Sequence, residues 1–105
     1  MITPLGNVYD YMYNIFMRFT WDEGKRKSNI KKHGLDFRQA HKVFAGPTFS
    51  IPDVRFDYGE ERFATLGLLD TDVVVMVHTE TKDEIRIISM RKGTANEQEI
   101  FFENI

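Results

Sequence analysis

At 105 residues the chain has room for one domain, and 42% hydrophobic with 13% aromatic residues is enough apolar material to fill one core. It has no cysteine, which excludes disulfides, thiolate zinc sites and a cysteine nucleophile, and His33, His41 and His78 fit no tight metal-ligand spacing. The net charge of −2 conceals a division: Arg18 to Lys42 holds eight basic and three acidic residues, near +5, whereas the remainder holds six and thirteen, near −7. Such a basic segment suits a polyanion or an acidic protein as partner.

Residues 1–16 read as an N-terminal extension ahead of a domain at 17–105. Within the extension, Val8 to Phe16 is rich in aromatics. It either docks on the domain or a partner, or precedes a true start of translation at Met17. It lacks a basic n-region and a small-residue cleavage site and carries Asp10, so it is a poor signal peptide. No apolar run approaches the roughly 20 residues of a membrane span, and a cytoplasmic location is expected.

Met17 to Trp21 alternates apolar and polar residues, predicting a short strand. Asp22 is placed to cap a basic helix, Glu23 to His33, which Gly34 closes. Lys25, Asn29, Lys32 and His33 fall at helical spacing with only Ile30 strongly apolar, so neighbours or a ligand must hold this helix. Asp36 to Gln39 reads as a capping box for a second helix whose Phe37, Ala40, His41 and Phe44 share a face, with His41 at the edge of the core. Gly46-Pro47 ends it. A strand region begins at Phe49 to Ile51, and a turn follows at Asp57 to Gly59. Three strands are expected at Arg62–Leu68, Val73–Glu80 and Glu84–Lys92, and their short connections force an antiparallel meander. The middle one is apolar on both faces and should lie centrally. Thr94 to Glu97 is a second capping box, opening a C-terminal helix with Ile100, Phe101 and Ile105. The sum is an α+β domain: two N-terminal helices packed on a small antiparallel sheet, with a C-terminal helix.

The order Trp21-Asp22-x-x-Lys25-x-x-x-Asn29-x-x-Lys32-His33-Gly34-x-x-Phe37-x-x-Ala40 resembles the opening of the BrnT toxins, the ribonuclease halves of type II toxin–antitoxin operons. Gly59 to Arg62, Val77 to Glu80 and Ile85 to Lys92 agree with it in order and spacing. The resemblance implies the architecture of RelE-type ribonucleases and a cognate, BrnA-like ribbon–helix–helix antitoxin. It further implies an RNA substrate and operator DNA bound through the antitoxin complex.

For such a ribonuclease, metal-independent cleavage needs a base for the ribose 2′-hydroxyl, cations for the phosphorane and an acid for the leaving oxygen. No cofactor or metal is expected. The candidate catalytic residues are His78, Glu80, Arg86 and Arg91. Imidazole titrates near neutral pH, and arginine grips phosphate bidentately. By hairpin pairing His78 and Glu80 should lie nearest Arg86, while strict alternation places Arg86 with Lys92 on one face and Arg91 with Ser89 on the other. Lys25, Lys31, Lys32, His33 and Lys92 are the candidate RNA-binding residues. Each has a plainer reading: a cross-strand Arg86–Glu80 ion pair, a His78 that satisfies a backbone carbonyl, and a solvated helix end at Lys31 to His33. The competing function is a non-catalytic module that only binds antitoxin and DNA.

Overall fold

The structure is a computed structural model and describes residues 17–105; the proposed 1–16 extension lies outside the described residues. In chain order the elements are β1 (Arg18–Trp21), α1 (Glu23–His33), a 3₁₀ turn (Phe37–Gln39) and α2 (Ala40–Phe44). Then come β2 (Thr48–Pro52), β3 (Phe63–Leu69), β4 (Asp72–Glu80), β5 (Glu84–Lys92) and α3 (Ala95–Glu103). None of the described helices is long and apolar enough to cross a membrane.

The helix boundaries follow from local chemistry. Asp22 accepts from the Lys25 N–H at 2.9 Å, and Gly34 at φ 71° closes α1 with its N–H on the Ile30 carbonyl. Thr94 and Glu97 close a complete capping box on α3. The strands form one sheet in the order β1-β5-β4-β3-β2, antiparallel except for β1 against β5. As its apolar pattern requires, β4 lies in the centre. Val74 and Met76 enter a core roofed by Phe37, Ala40, Val43 and Phe44, while Val73 and Val75 meet Leu66 and Phe101 on the opposite face. The roof sits close: a Cβ on Gly67 of β3 would stand 2.5 Å from the Val43 side chain, so only glycine fits beneath α2.

Three expectations are corrected. The sheet is five-stranded and mixed, not small and antiparallel, because β1 enters as an edge strand alongside β5 with Phe19 opposite Ile85 and Trp21 opposite Ile87. The arrangement of two N-terminal helices on an antiparallel sheet therefore does not hold. Among the described residues a strand comes first, as expected, and only α1 is a full helix before the meander. The second helical segment breaks into a 3₁₀ turn and five residues of α-helix. Its expected capping box does not close, because Asp36 caps only the Arg38 N–H and both its oxygens are drawn to Arg26 at 3.0–3.1 Å. The break shifts the inward phase to Phe37, Ala40, Val43 and Phe44, and His41 is left exposed.

The basic helix is held by its neighbours through polar contacts. Its buried residues are Arg26 and Asn29, while Ile30 is exposed. Arg26 bridges Glu23 and Asp36. Asn29 accepts from the Met90 N–H at 3.1 Å and donates to the Met90 and Leu35 carbonyls at 2.9 and 3.0 Å. Because β1 pairs with β5 only as far as Ile87, this side chain extends the sheet edge where the strand stops.

Candidate functional site

A β-bulge assembles the strand arginines. Val77 pairs with Ser89 and His78 with Ile87, leaving Ile88 without a partner. The alternation along β5 therefore slips by one residue. Arg86, Ser89 and Arg91 come to one face, opposite Thr79, Val77 and Val75, while Ile85, Ile87 and Met90 point into the main core. This corrects the expectation that Arg86 and Arg91 occupy opposite faces and that Arg86 shares a face with Lys92. The separation of their β4 partners puts the two arginines about 13 Å apart along the strand. Both stay in reach of solvent, with side chains 43% and 38% exposed.

Their carboxylate partners hold them differently. Arg91 meets Glu97 as a fork, Nη1 to Oε1 at 2.8 Å and Nη2 to Oε2 at 2.9 Å. The same Glu97 accepts from the Thr94 N–H, so Arg91 also fastens the start of α3 to β5. The Arg91 guanidinium holds the Glu97 carboxyl down at about 2. Arg86 is less committed. Its Nη2 donates to both oxygens of Glu60, at 2.9 and 2.8 Å, while its Nε makes no hydrogen bond. Glu60 also accepts from Arg62 Nε at 3.0 Å, and the two arginines lower its pKa, Arg62 the more strongly.

Glu60 and Arg62 belong to the loop between β2 and β3, to which sequence reasoning gave no site residue. A short backbone bond, Asp53 N–H to the Arg62 carbonyl at 2.8 Å, closes it. Inside, the buried Asp53 carboxylate accepts from Arg55 Nε and Nη2 at 2.8 and 3.0 Å and from the Tyr58 hydroxyl at 3.2 Å. Arg55 holds the Asp53 carboxyl at about 2. The charge of Arg55, though paired with Asp53, opposes that of Arg91 slightly. The signal in the sequence is the Gly59-Glu60-Glu61-Arg62 segment, a glycine turn followed by two acidic residues and an arginine next to a strand.

The histidine and the helix residues lie elsewhere. His78 has no exposed surface; its ring stacks near Phe63 and meets Phe44 edge-on, with Nε2 2.6 Å from Thr65 Oγ1. Burial pushes its pKa down to about 4. Its Nδ1 stands 3.7 Å from Glu80, which lies opposite Ile85. His78 and Glu80 thus share a face, as expected, but it is the face turned away from Arg86 and Arg91. Lys25, Lys31 and Lys32 are exposed on α1 and make no ion pair among the described residues, and His33 is half-buried at its end. The helix lies along the edge of β5 at Met90, adjacent in the chain to Arg91. Lys92 ends β5, its Nζ 3.8 Å from Asp72.

A family model described as the ribonuclease toxin, BrnT, of type II toxin–antitoxin systems matches residues 21–97. The chain belongs to the BrnT family. It is therefore a ribonuclease toxin of a type II toxin–antitoxin system, with an antitoxin as partner and RNA as target. A comparison with curated sequences returns no match. The BrnT match begins at Trp21 and ends at Glu97, so it takes in the basic helix, the β2–β3 loop, both strand arginines and the carboxylate that holds Arg91.

Proposed function

We propose that this toxin cleaves RNA on the open face of β5 by a metal-independent, transesterifying mechanism. The ribose 2′-oxygen bonds to the adjacent phosphorus as the bond to the 5′-oxygen breaks, leaving a 2′,3′-cyclic phosphate and a free 5′-hydroxyl. Arg86 and Arg91 supply positive charge to the phosphorane, and the single observation that carries the proposal is the bulge that turns both to one face. Glu60 takes the 2′-hydroxyl proton, because it is ionised and already bonded to Arg86, whose side chain is open enough to meet the phosphate as well. A proton from solvent completes the leaving 5′-hydroxyl.

Lys25, Lys31 and Lys32, exposed and without an ion pair among the described residues, attract the flanking phosphates, with His33 and Lys92 beside them. His78 serves the architecture instead, since a buried neutral imidazole cannot touch RNA, and Glu80 lies on the face turned away from Arg86 and Arg91. In the cytoplasm the toxin is held inactive by a BrnA-like ribbon–helix–helix antitoxin, through which the complex binds operator DNA. Family membership supports that reading.

The test is cleavage of fluorescent RNA in EDTA by the wild type, Arg86→Ala and Glu60→Gln. The expected result is cleavage by the wild type with cyclic phosphate termini and a loss of about 10²-fold in Arg86→Ala, the scale of removing one preorganised donor. Absence of cleavage in the wild type, with antitoxin binding intact, would favour the non-catalytic module.

A further inference from the structure

The loop between β2 and β3 encloses a pocket of about 350 Å³, lined among others by Val54, Arg55, Phe56, Tyr58, Glu60 and Arg62. That volume is within the range of small-molecule sites. Its two aromatic rings are not equivalent. Tyr58 is fully engaged, its hydroxyl on Asp53 and its ring covered by the Arg62 guanidinium at 3.9 Å. Phe56 stands edge-on to Tyr58 at 5.8 Å and 73° and is 68% exposed, beside the still more exposed Val54. An exposed phenylalanine held upright by an ordered neighbour, in a loop tied at both ends, is a stacking platform set in advance. The wall of the pocket is Glu60, which bonds Arg86 at 2.8 Å, so the platform adjoins the phosphate clamp.

We propose that this loop is a nucleobase pocket, in which Phe56 stacks on an unpaired base of single-stranded RNA next to the phosphate held by Arg86. The proposal rests on the reading of the open face as the RNA-cleaving site and adds the substrate class, a strand whose base is free to leave its neighbours. Arg55 and Arg62 draw the backbone toward the loop, and the apolar surface of Phe56 and Val54 takes the base. In a duplex the bases are already stacked and paired, so duplex RNA gains nothing from Phe56.

The experiment uses 2′-O-methyl RNA, which keeps base and phosphate but cannot undergo 2′-hydroxyl attack, with 2-aminopurine as one base. Binding to the full-length wild type should quench the fluorophore. Phe56→Leu, which keeps apolar bulk without the ring, should bind about 5- to 150-fold more weakly with the quenching lost, and its melting temperature should match the wild type. Unchanged affinity and quenching in Phe56→Leu would overturn the proposal. So would weakened antitoxin binding with RNA binding intact, which would make the pocket a protein-docking surface. Cleavage of unmodified RNA is scored separately, so failure of the ribonuclease reading shows as inactive wild type even where the stacking signal is present.

Discussion

Replacing His78 by glutamine should abolish a loss of stability that the wild type suffers between about pH 7 and 5. The ring has no exposed surface, and burial lowers its pKa from 6.5 to about 4. The folded state therefore binds fewer protons than the unfolded one across this interval. Its contribution is complete above the unfolded value of 6.5 and is lost as pH falls toward the folded value of about 4. At 1.36 kcal/mol per pKa unit, the cost is about 2 kcal/mol at pH 5 and roughly 3 kcal/mol by pH 4. Urea unfolding of both proteins at the two pH values measures it. The glutamine variant starts less stable, having lost the Thr65 contact, but its stability should fall by about 2 kcal/mol less between them. His33 and His41 are present in both and cancel in the difference. Equal pH dependence, or a ring titration near pH 6.5, would refute the reasoning. The specific activity of the folded fraction, and its pH profile, should survive the substitution.

The two strand arginines should separate in their effects on folding. Arg91→Ala removes the fork to Glu97 and loosens the α3 cap, so thermal melts should show a loss of about 1–2 kcal/mol, whereas Arg86→Ala should lose cleavage with little change in melting. Arg91→Lys should keep charge but recover only part of the rate, read in the same fluorescent-RNA assay, because an ammonium cannot reproduce the planar fork. Lys32→Glu should weaken RNA binding far more at low salt than at high salt in a titration series, as counterion release requires. Asn29→Leu leaves the Met90 N–H and carbonyl unpaired at the β5 edge and should cost about 2–3 kcal/mol in urea unfolding, without changing the salt slope of RNA binding.

Local chemistry made most elements legible. Asp22, Gly34 and Thr94 mark their helix ends because caps act within one turn, and β4 declares its central place by being apolar on both faces. The pairing of β1 with β5 was not legible, since it joins Arg18 to Glu84 across the whole intervening chain and no short turn dictates it. The second helix was misread for an electrostatic reason. Asp36 has the right spacing to open a capping box, but Arg26 of the preceding helix takes its oxygens, and the segment tightens into a 3₁₀ turn.

At the candidate site two features of β5 overturn the expected placement. Alternation along an ideal strand sends Arg86 away from Arg91, and the hairpin points to Glu80 as its partner. The register that sets Glu80 opposite Ile85 puts Arg86 on the other face, where it meets Glu60, and Arg91 joins it there through the bulge at Ile88. Its trace is present in the sequence all the same. Ile85, Ile87 and Met90 are the inward residues of β5, and two steps of two and three residues cannot share a face on a regular strand. The core takes all three side chains, so one of the two residues between Ile87 and Met90 must be left over, and it is Ile88, since Ser89 pairs with Val77. Packing on one side of the sheet thereby decides which cations gather on the other. With Ile88 in place, a regular strand would have to expose either Met90 or the Ile85–Ile87 pair, whereas deleting Ile88 would set Ile85, Ile87 and Met90 at steps of two and keep all three inward without a bulge. The core that stabilises the domain and the arginine pair proposed to cleave RNA depend on the same irregularity.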